Sequence, residues 1–177
     1  MGRTERLRIT GGRARGRHLV ESVGADVRPT SSRVREALFS LVGHDLSGTC
    51  VLDAYGGSGL LGLEAWSRGA EVTIVESEPS TVEKIRANAA DLGASVEIRT
   101  GRVELLAPTL GRFDGVLADP PYRFDPIPVV GALTAVCDGW LVLETDERTD
   151  APDPPPGWVL DRRRTYGGSA LVVYRPG

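Results

Sequence analysis

From residue 49 onward the chain alternates short, near-continuous apolar runs with segments of helical period. TCVLDA, EVTIVE, SVEIRT, FDGVLA and GWLVLET are short and rich in branched residues, and each reads as a strand. Between them LLGLEAWSRG, STVEKIRANAADLG, VELLAPTL and PVVGALTAVC read as helices, with Gly69 and Gly93 as stop signals. Strands apolar on both faces need cover on both sides, and alternation with helices supplies it. The expected fold class is therefore α/β: a Rossmann-like, mostly parallel, doubly wound sheet. After the proline-rich loop DAPDPPPG, the runs WVLDRRRTY and SALVVYR flank a Gly-Gly pair and predict a closing antiparallel hairpin. Too few residues follow Pro152–Pro156 to make a second domain.

The front of the chain reads differently. LRITGG followed by GRHLVE predicts a small hairpin of two short strands around a glycine-rich turn. SSRVREALFSLV predicts a helix with Thr30 or Ser31 as its N-cap. Net charge is −3, yet residues 1–18 hold six arginines (Arg3, Arg6, Arg8, Arg13, Arg15, Arg17) against the single acid Glu5. Arg28, Arg33 and Arg35 follow. A basic segment on an acidic body suggests a face for a polyanion; the bland alternative is a solvated tail. Because the sheet begins near residue 49, residues 1–20 are expected to be dispensable for folding.

Other classes of function find little support. No apolar run approaches the ~20 residues of a membrane span, and MGRTERLRIT lacks the apolar centre of a secretory leader. Cys50 and Cys137 lie in or beside apolar runs and read as reduced core thiols, so the expected compartment is cytoplasmic. His18 and His44 are far apart and no Cys/His cluster occurs, so no metal is expected. Ser58 lies outside any G-x-S-x-G elbow.

Chemistry concentrates in two stretches. In VLDAYGGSGLLGLEA a glycine loop joins the first sheet strand to its helix, and Gly57, Gly59 and Gly62 satisfy the G-x-G-x-x-G fingerprint of dinucleotide sites. Glu76 ends the next strand, where an acid can hold ribose hydroxyls. A nicotinamide oxidoreductase is thus a live reading. Asp53 argues against it: a carboxylate just before the loop would repel a pyrophosphate seated at the glycines and the helix N-terminus. S-adenosylmethionine has no phosphate, and its ammonium suits an acid at that place.

The second stretch is FDGVLADPPY, where a buried strand stops at Asp119, Pro120, Pro121 and Tyr122. In this order of elements that strand adjoins the first across the switch point, where open α/β sheets bind ligands. The lone pair of an exocyclic amine on a base is delocalised into the ring and is a poor nucleophile. Two acceptors on its N–H groups orient the nitrogen and stabilise the charge that develops there. The Asp119 carboxylate and the Pro120 carbonyl fit that role, the two prolines stiffen the backbone, and Tyr122 offers a face for a flipped base.

Taken together, VLDAYGGSG, Glu76 and DPPY resemble the class I S-adenosylmethionine-dependent methyltransferases that act on exocyclic amines. LRITGGRARGRHL, VRPTSSRVREALFSLV and LDAYGGSGLLGLEAWSRGA closely resemble the RsmD family of 16S rRNA guanine-N(2) methyltransferases, along nearly the whole chain. The resemblance implies transfer of a methyl group from S-adenosylmethionine to the 2-amino group of guanine 966 in an assembling small ribosomal subunit, with no membrane or obligate protein partner. It implies an organisation of residues 1–28 as a basic β-hairpin extension and 29–177 as the methyltransferase domain. Carried over by position, Asp119, Pro120, Pro121 and Tyr122 form the target-amine motif. Asp53, Ala54, Tyr55, Gly56, Gly57, Ser58 and Gly59 form the cofactor loop, and Glu76 and Ser77 sit at the ribose. Many class I enzymes hold the adenine amine with an acid or amide after the third strand. Here that place reads Thr100, Gly101, Arg102, Val103, so backbone groups at Arg102 and Val103 take that role, with Asp119 completing the cofactor set. RNA docking falls to Arg8, Arg13, Arg15, Arg17, Arg28, Arg33 and Arg35, or alternatively to Arg162–Arg164. An adenine-N6 methyltransferase and a catalytically silent RNA-binding assembly factor stand as alternatives.

Overall fold

The computed structural model describes residues 7–20, 30–121 and 125–177. In chain order these hold α1 (Ser32–Val42), β1 (Cys50–Asp53), α2 (Leu60–Ser67), β2 (Glu71–Glu76), α3 (Pro79–Leu92), β3 (Glu97–Thr100), α4 (Val103–Leu106), β4 (Phe113–Ala118), α5 (Pro126–Thr134), β5 (Cys137–Asp146), β6 (Trp158–Tyr166) and β7 (Ser169–Pro176). Among the described residues seven strands form one sheet in the order β3-β2-β1-β4-β5-β7-β6. The first five run parallel, and β7 pairs antiparallel with both β5 and β6. The expected α/β class, the doubly wound order and the closing hairpin are all present. So is the reversal of strand order between β1 and β4, which opens a crevice at their carboxyl ends.

Local chemistry accounts for the element ends. Ser31 caps α1 by accepting the Val34 N–H, and Gly93 closes α3 in the left-handed region. Asp125 caps α5 by accepting the Ile127 N–H at 3.0 Å, so that helix begins at Pro126 and ends at Thr134, leaving Cys137 to open β5. Val51, Leu52, Val116, Leu117, Leu141 and Leu143 are wholly buried, as strands covered on both faces require.

Every residue of α2 is buried. A helix buried on all sides needs cover on its outer face too, and residues 7–20 provide part of it. This segment is a narrower hairpin than two full strands. It has one bridge between Arg8 and His18, with Ile9 donating to Arg17 O and Gly16 donating back to Ile9 O, both at 2.9 Å. It is fastened to the end of α2: Arg13 N–H donates to Ser67 O, Ala14 N–H to Ser67 Oγ, and Ser67 O–H to Gly11 O. Ile9, Ala14 and Leu19 join the same core as Leu38, Phe39, Leu63 and Trp66. The expectation that residues 1–20 could be removed without loss of folding is therefore corrected: their removal strips one face of α2.

Beneath this clip lies a buried charge cluster. Glu64, fully buried, pairs with Arg35 Nε at 3.0 Å and Arg68 at 2.9 Å, and accepts the Thr10 hydroxyl. Arg35 also donates to the carbonyls of Thr30 and Arg8, and the Arg68 guanidinium lies 4.4 Å from the Phe39 ring centroid. Arg35 was expected on an RNA-binding surface. It is instead 2% exposed, and its donors are used inside the core.

Two consequences are measurable. Glu64→Ala leaves two buried guanidiniums without their counter-ion and should lower stability by roughly 3–5 kcal/mol, read from urea unfolding. A chain lacking residues 1–20 should melt well below the full chain; equal melting temperatures would mean that the clip is not part of the core.

Candidate active site

The crevice is built from the carboxyl ends of β1, β2, β4 and β5. β1 ends at Asp53, which is fully buried. Its Oδ2 accepts the Gly62 N–H at 2.9 Å, while Oδ1 is buried with no hydrogen-bond partner. Burial pushes this carboxyl from its ordinary 3.8 up to about 7, with a further push from the charge of Glu76 and against the pull of the Gly62 and Tyr55 backbone N–H groups.

The loop from Ala54 to Gly59 turns back against β2. Gly56 N–H donates to Val75 O, and a side chain at Gly56 would start 2.7 Å from Ile74 Cγ2 and 2.9 Å from Ile85 Cδ1. Gly59 opens α2 with φ of +78°, in the left-handed region that favours glycine. The backbone thus approaches β2 and α3 as closely as it can. Glu76, at the end of β2, ties the glycine loop to the start of α3: Oε2 accepts Gly57 N–H at 2.8 Å and Oε1 accepts Glu78 N–H at 2.9 Å. Ser77 is exposed beside it, and Ser58 lies within the loop, its carbonyl accepting from Asn88 Nδ2.

After β3, Arg102 is exposed and Val103 is buried in the core. The sequence reading missed Glu104. Its Oε1 accepts the Tyr55 hydroxyl at 2.8 Å, joining the loop to α4, and burial together with this carboxylate raises the Tyr55 pKa. The available signal was an acid in the first turn of a helix that follows β3.

Asp119 follows β4 directly. Leu117 is the register partner of Asp53, so Asp119 stands two residues further along the neighbouring strand. It is half-buried and Pro120 is buried, while Pro121 is exposed and Tyr122 lies outside the described residues. Asp119 Oδ2 is 3.2 Å from Thr30 Oγ1, and the same hydroxyl lies 2.9 Å from Glu144 Oε2. Thr30 and Glu144 are buried, and neither was marked as a site residue by the sequence. The signal for Glu144 was an acid inside the apolar run WLVLET. The Asp119 carboxyl is held above the ordinary carboxylate range by burial, then by the charges of Glu144 and Asp53, while the Thr30 bond pulls the other way. Glu144 is also raised, chiefly by burial, with Ser169, Thr30 and Arg35 opposing.

The expected RNA-facing arginines separate by environment. Arg8, Arg13, Arg15 and Arg17 are exposed on the clip and Arg33 is exposed on α1. Arg13 lies 5.0 Å from the Trp66 ring centroid and Arg17 pairs with Asp91 at 3.1 Å. Arg28 lies outside the described residues. Arg162 and Arg164 are exposed on β6, whereas Arg163 donates to the carbonyls of Glu147 and Thr149.

Comparison with known proteins gives the family. The model of a family described as conserved hypothetical protein 95 matches residues 7–175. The chain belongs to that family, the RsmD family of the sequence resemblance. It is 32% identical to ribosomal RNA small subunit methyltransferase D of Escherichia coli K12, over 96% of this chain and 89% of that protein. The solved structure of a hypothetical protein from Thermus thermophilus superposes with a TM-score of 0.82 at 32% identity, covering 94% of this chain and 98% of that one. In fold alone the chain also matches the magnesium protoporphyrin IX methyltransferase of Synechocystis, solved with bound S-adenosylmethionine, with a TM-score of 0.67 at 16% identity. Family and fold make the chain an S-adenosylmethionine-dependent methyltransferase.

The residues present fit that cofactor. A fully buried carboxyl at Asp53, with that of Asp119 on the neighbouring strand, suits a ligand that carries an ammonium and a sulfonium and no phosphate. Because Asp53 ionises near 7, affinity for the cationic cofactor should rise with pH through neutrality in the wild type and lose that dependence in Asp53→Asn, as measured by calorimetric titration. The linked effect on the free protein has the opposite sign. A carboxyl raised from 3.8 to about 7 favours the fold while neutral, so stability should decline between about pH 4 and 7. Melting of Asp53→Asn should lack that part of the decline.

Proposed function

We propose that this enzyme methylates the 2-amino group of guanine 966 in 16S rRNA, within a small ribosomal subunit undergoing assembly in the cytoplasm. The family membership and the name of the Escherichia coli relative support ribosomal RNA as the substrate class. The observation that carries the chemistry is the position of Asp119, one strand over from Asp53 and the glycine loop, at the switch point.

In this reading residues 29–177 bind the cofactor and perform the reaction, and residues 1–28 help to dock the RNA. The cofactor supplies an activated methyl group. Asp53 neutralises its ammonium, Glu76 receives its ribose hydroxyls, and backbone at Arg102 and Val103 meets its adenine. Asp119 and the Pro120 carbonyl accept the two N–H groups of the target amine, turning its lone pair toward the methyl carbon. Tyr122 stacks on the extruded base. The exposed cations Arg8, Arg13, Arg15 and Arg33 take phosphates, which fix register without reading sequence. Arg17 joins them at the cost of its contact with Asp91.

The test is incubation of undermethylated small subunits with the enzyme and methyl-labelled cofactor, followed by nucleoside analysis. Label should appear in N2-methylguanosine; label in N6-methyladenosine would replace this reading with the adenine one. Asp119→Ala should lower the rate by roughly 10²–10³ while S-adenosylhomocysteine binds as before. Substituting Arg8, Arg13, Arg15 and Arg33 together should weaken binding and flatten its salt dependence by about 0.7–0.9 in log–log slope for each lost phosphate contact.

A further inference from the structure

A single hydroxyl stands between two carboxylates behind the reacting position. Thr30 Oγ1 is 2.9 Å from Glu144 Oε2 and 3.2 Å from Asp119 Oδ2. A threonine hydroxyl has one proton to donate, and two ionised carboxylates offer no other. The arrangement is satisfied when one carboxyl holds a proton of its own. The shorter contact assigns the Thr30 proton to Glu144, and the longer one then becomes a bond donated by a protonated Asp119 to Thr30. The surroundings favour that polarity. Asp119 faces the like charge of Asp53 from β1 and of Glu144 from β5, whereas Glu144 faces Arg35 from α1 and Ser169 from β7.

We propose that Asp119, Thr30 and Glu144 form a relay that carries away the proton the target amine must lose on methylation, with Glu144 as its terminal acceptor. The inference rests on the assignment of Asp119 to the amine. The nitrogen lone pair forms the bond to the methyl carbon, and the carbon–sulfur bond breaks with its electron pair going to sulfur. The nitrogen then holds one proton too many. That proton passes to Asp119 Oδ1, the proton on Oδ2 passes to Thr30 Oγ1, and the Thr30 proton passes to Glu144 Oε2. Asp119 ends neutral as it began, Glu144 ends neutral, and the nitrogen keeps the electrons of the broken N–H bond. Thr30 and Glu144 act through Asp119 and are positioning residues, since nothing requires either to touch the substrate.

This gives the segment around Thr30 a role beyond the cap of α1. The backbone carbonyl of Thr30 accepts from Arg35, itself paired to Glu64, so the buried charge cluster holds the relay hydroxyl in place.

The experiment is single-turnover methyl transfer on small subunits across pH, with S-adenosylhomocysteine affinity measured alongside. The wild-type rate should fall at low pH as Glu144 becomes protonated. Thr30→Val should lower the rate by roughly 10²-fold, the low end for a positioned proton acceptor, with cofactor affinity and substrate KM little changed. Thr30→Ser should restore most of it. Glu144→Gln should lower the rate and remove the acid limb. Wild-type rates and pH profiles in Thr30→Val and Glu144→Gln, beside an inactive Asp119→Ala, would overturn the relay alone. An active Asp119→Ala would overturn the assignment beneath it. Should a variant fail to fold, infrared spectra of the free enzyme at neutral pH decide. A protonated carboxyl band that survives Asp53→Asn and vanishes in Asp119→Asn is expected, and its absence from the wild type would refute the proposal.

Discussion

Three carboxylates converge near the carboxyl edge of the sheet, where water screens them poorly. Asp53 ends β1 and is fully buried, Glu144 lies within β5 level with Asp119 and is 5% exposed, and Asp119 follows β4 and is half-buried. Like charges this close and this dry cannot all ionise at neutral pH without a cation. The topology sets the convergence: β4 pairs with β1 on one side and β5 on the other, so acids at adjacent register positions near the carboxyl ends of these strands meet. The crevice either holds protons or holds a positive ligand. A cofactor with an ammonium and a sulfonium answers that demand, whereas the pyrophosphate of a dinucleotide would worsen it.

A second charge cluster shows the opposite solution. Glu64 is buried as deeply as Asp53, yet Arg35 and Arg68 flank it and Thr10 adds a hydroxyl. Its charge is balanced within the fold, which ties the N-terminal clip, α1 and α2 into one unit. The two clusters are linked through Thr30, whose carbonyl belongs to the balanced one and whose hydroxyl belongs to the unbalanced one. A hydroxyl held from behind has little freedom to leave the two carboxylates it bridges.

Much of this was legible in the sequence, and the reasons are local. Strand and helix positions followed from periods of apolar residues, the switch point followed from their order, and the glycine loop and DPPY marked the ends of β1 and β4. Sequence reading failed where a residue's role depends on what folds over it. Arg35 lies in an arginine-rich stretch and on a helix, and nothing local distinguishes it from Arg33; only the arrival of Glu64 from α2 makes it a core residue. Residues 7–20 looked like a removable tail because their cover of α2 is a long-range fact. Thr30 presented itself as a helix cap and Glu144 as one acid in an apolar strand. Their meeting spans 114 residues and has no signature in either segment. Glu104 was hidden in the same way, since its partner Tyr55 lies 49 residues earlier.

The central claim is that the acidic crevice holds protons until a cationic cofactor displaces at least one of them. Calorimetry of S-adenosylmethionine binding at neutral pH, repeated in buffers of different ionisation enthalpy, measures that proton directly. Net release of protons on binding, reduced when Asp53 is replaced by Asn, is the predicted result. Binding heats independent of the buffer would mean that the crevice is already ionised, and would contradict the account.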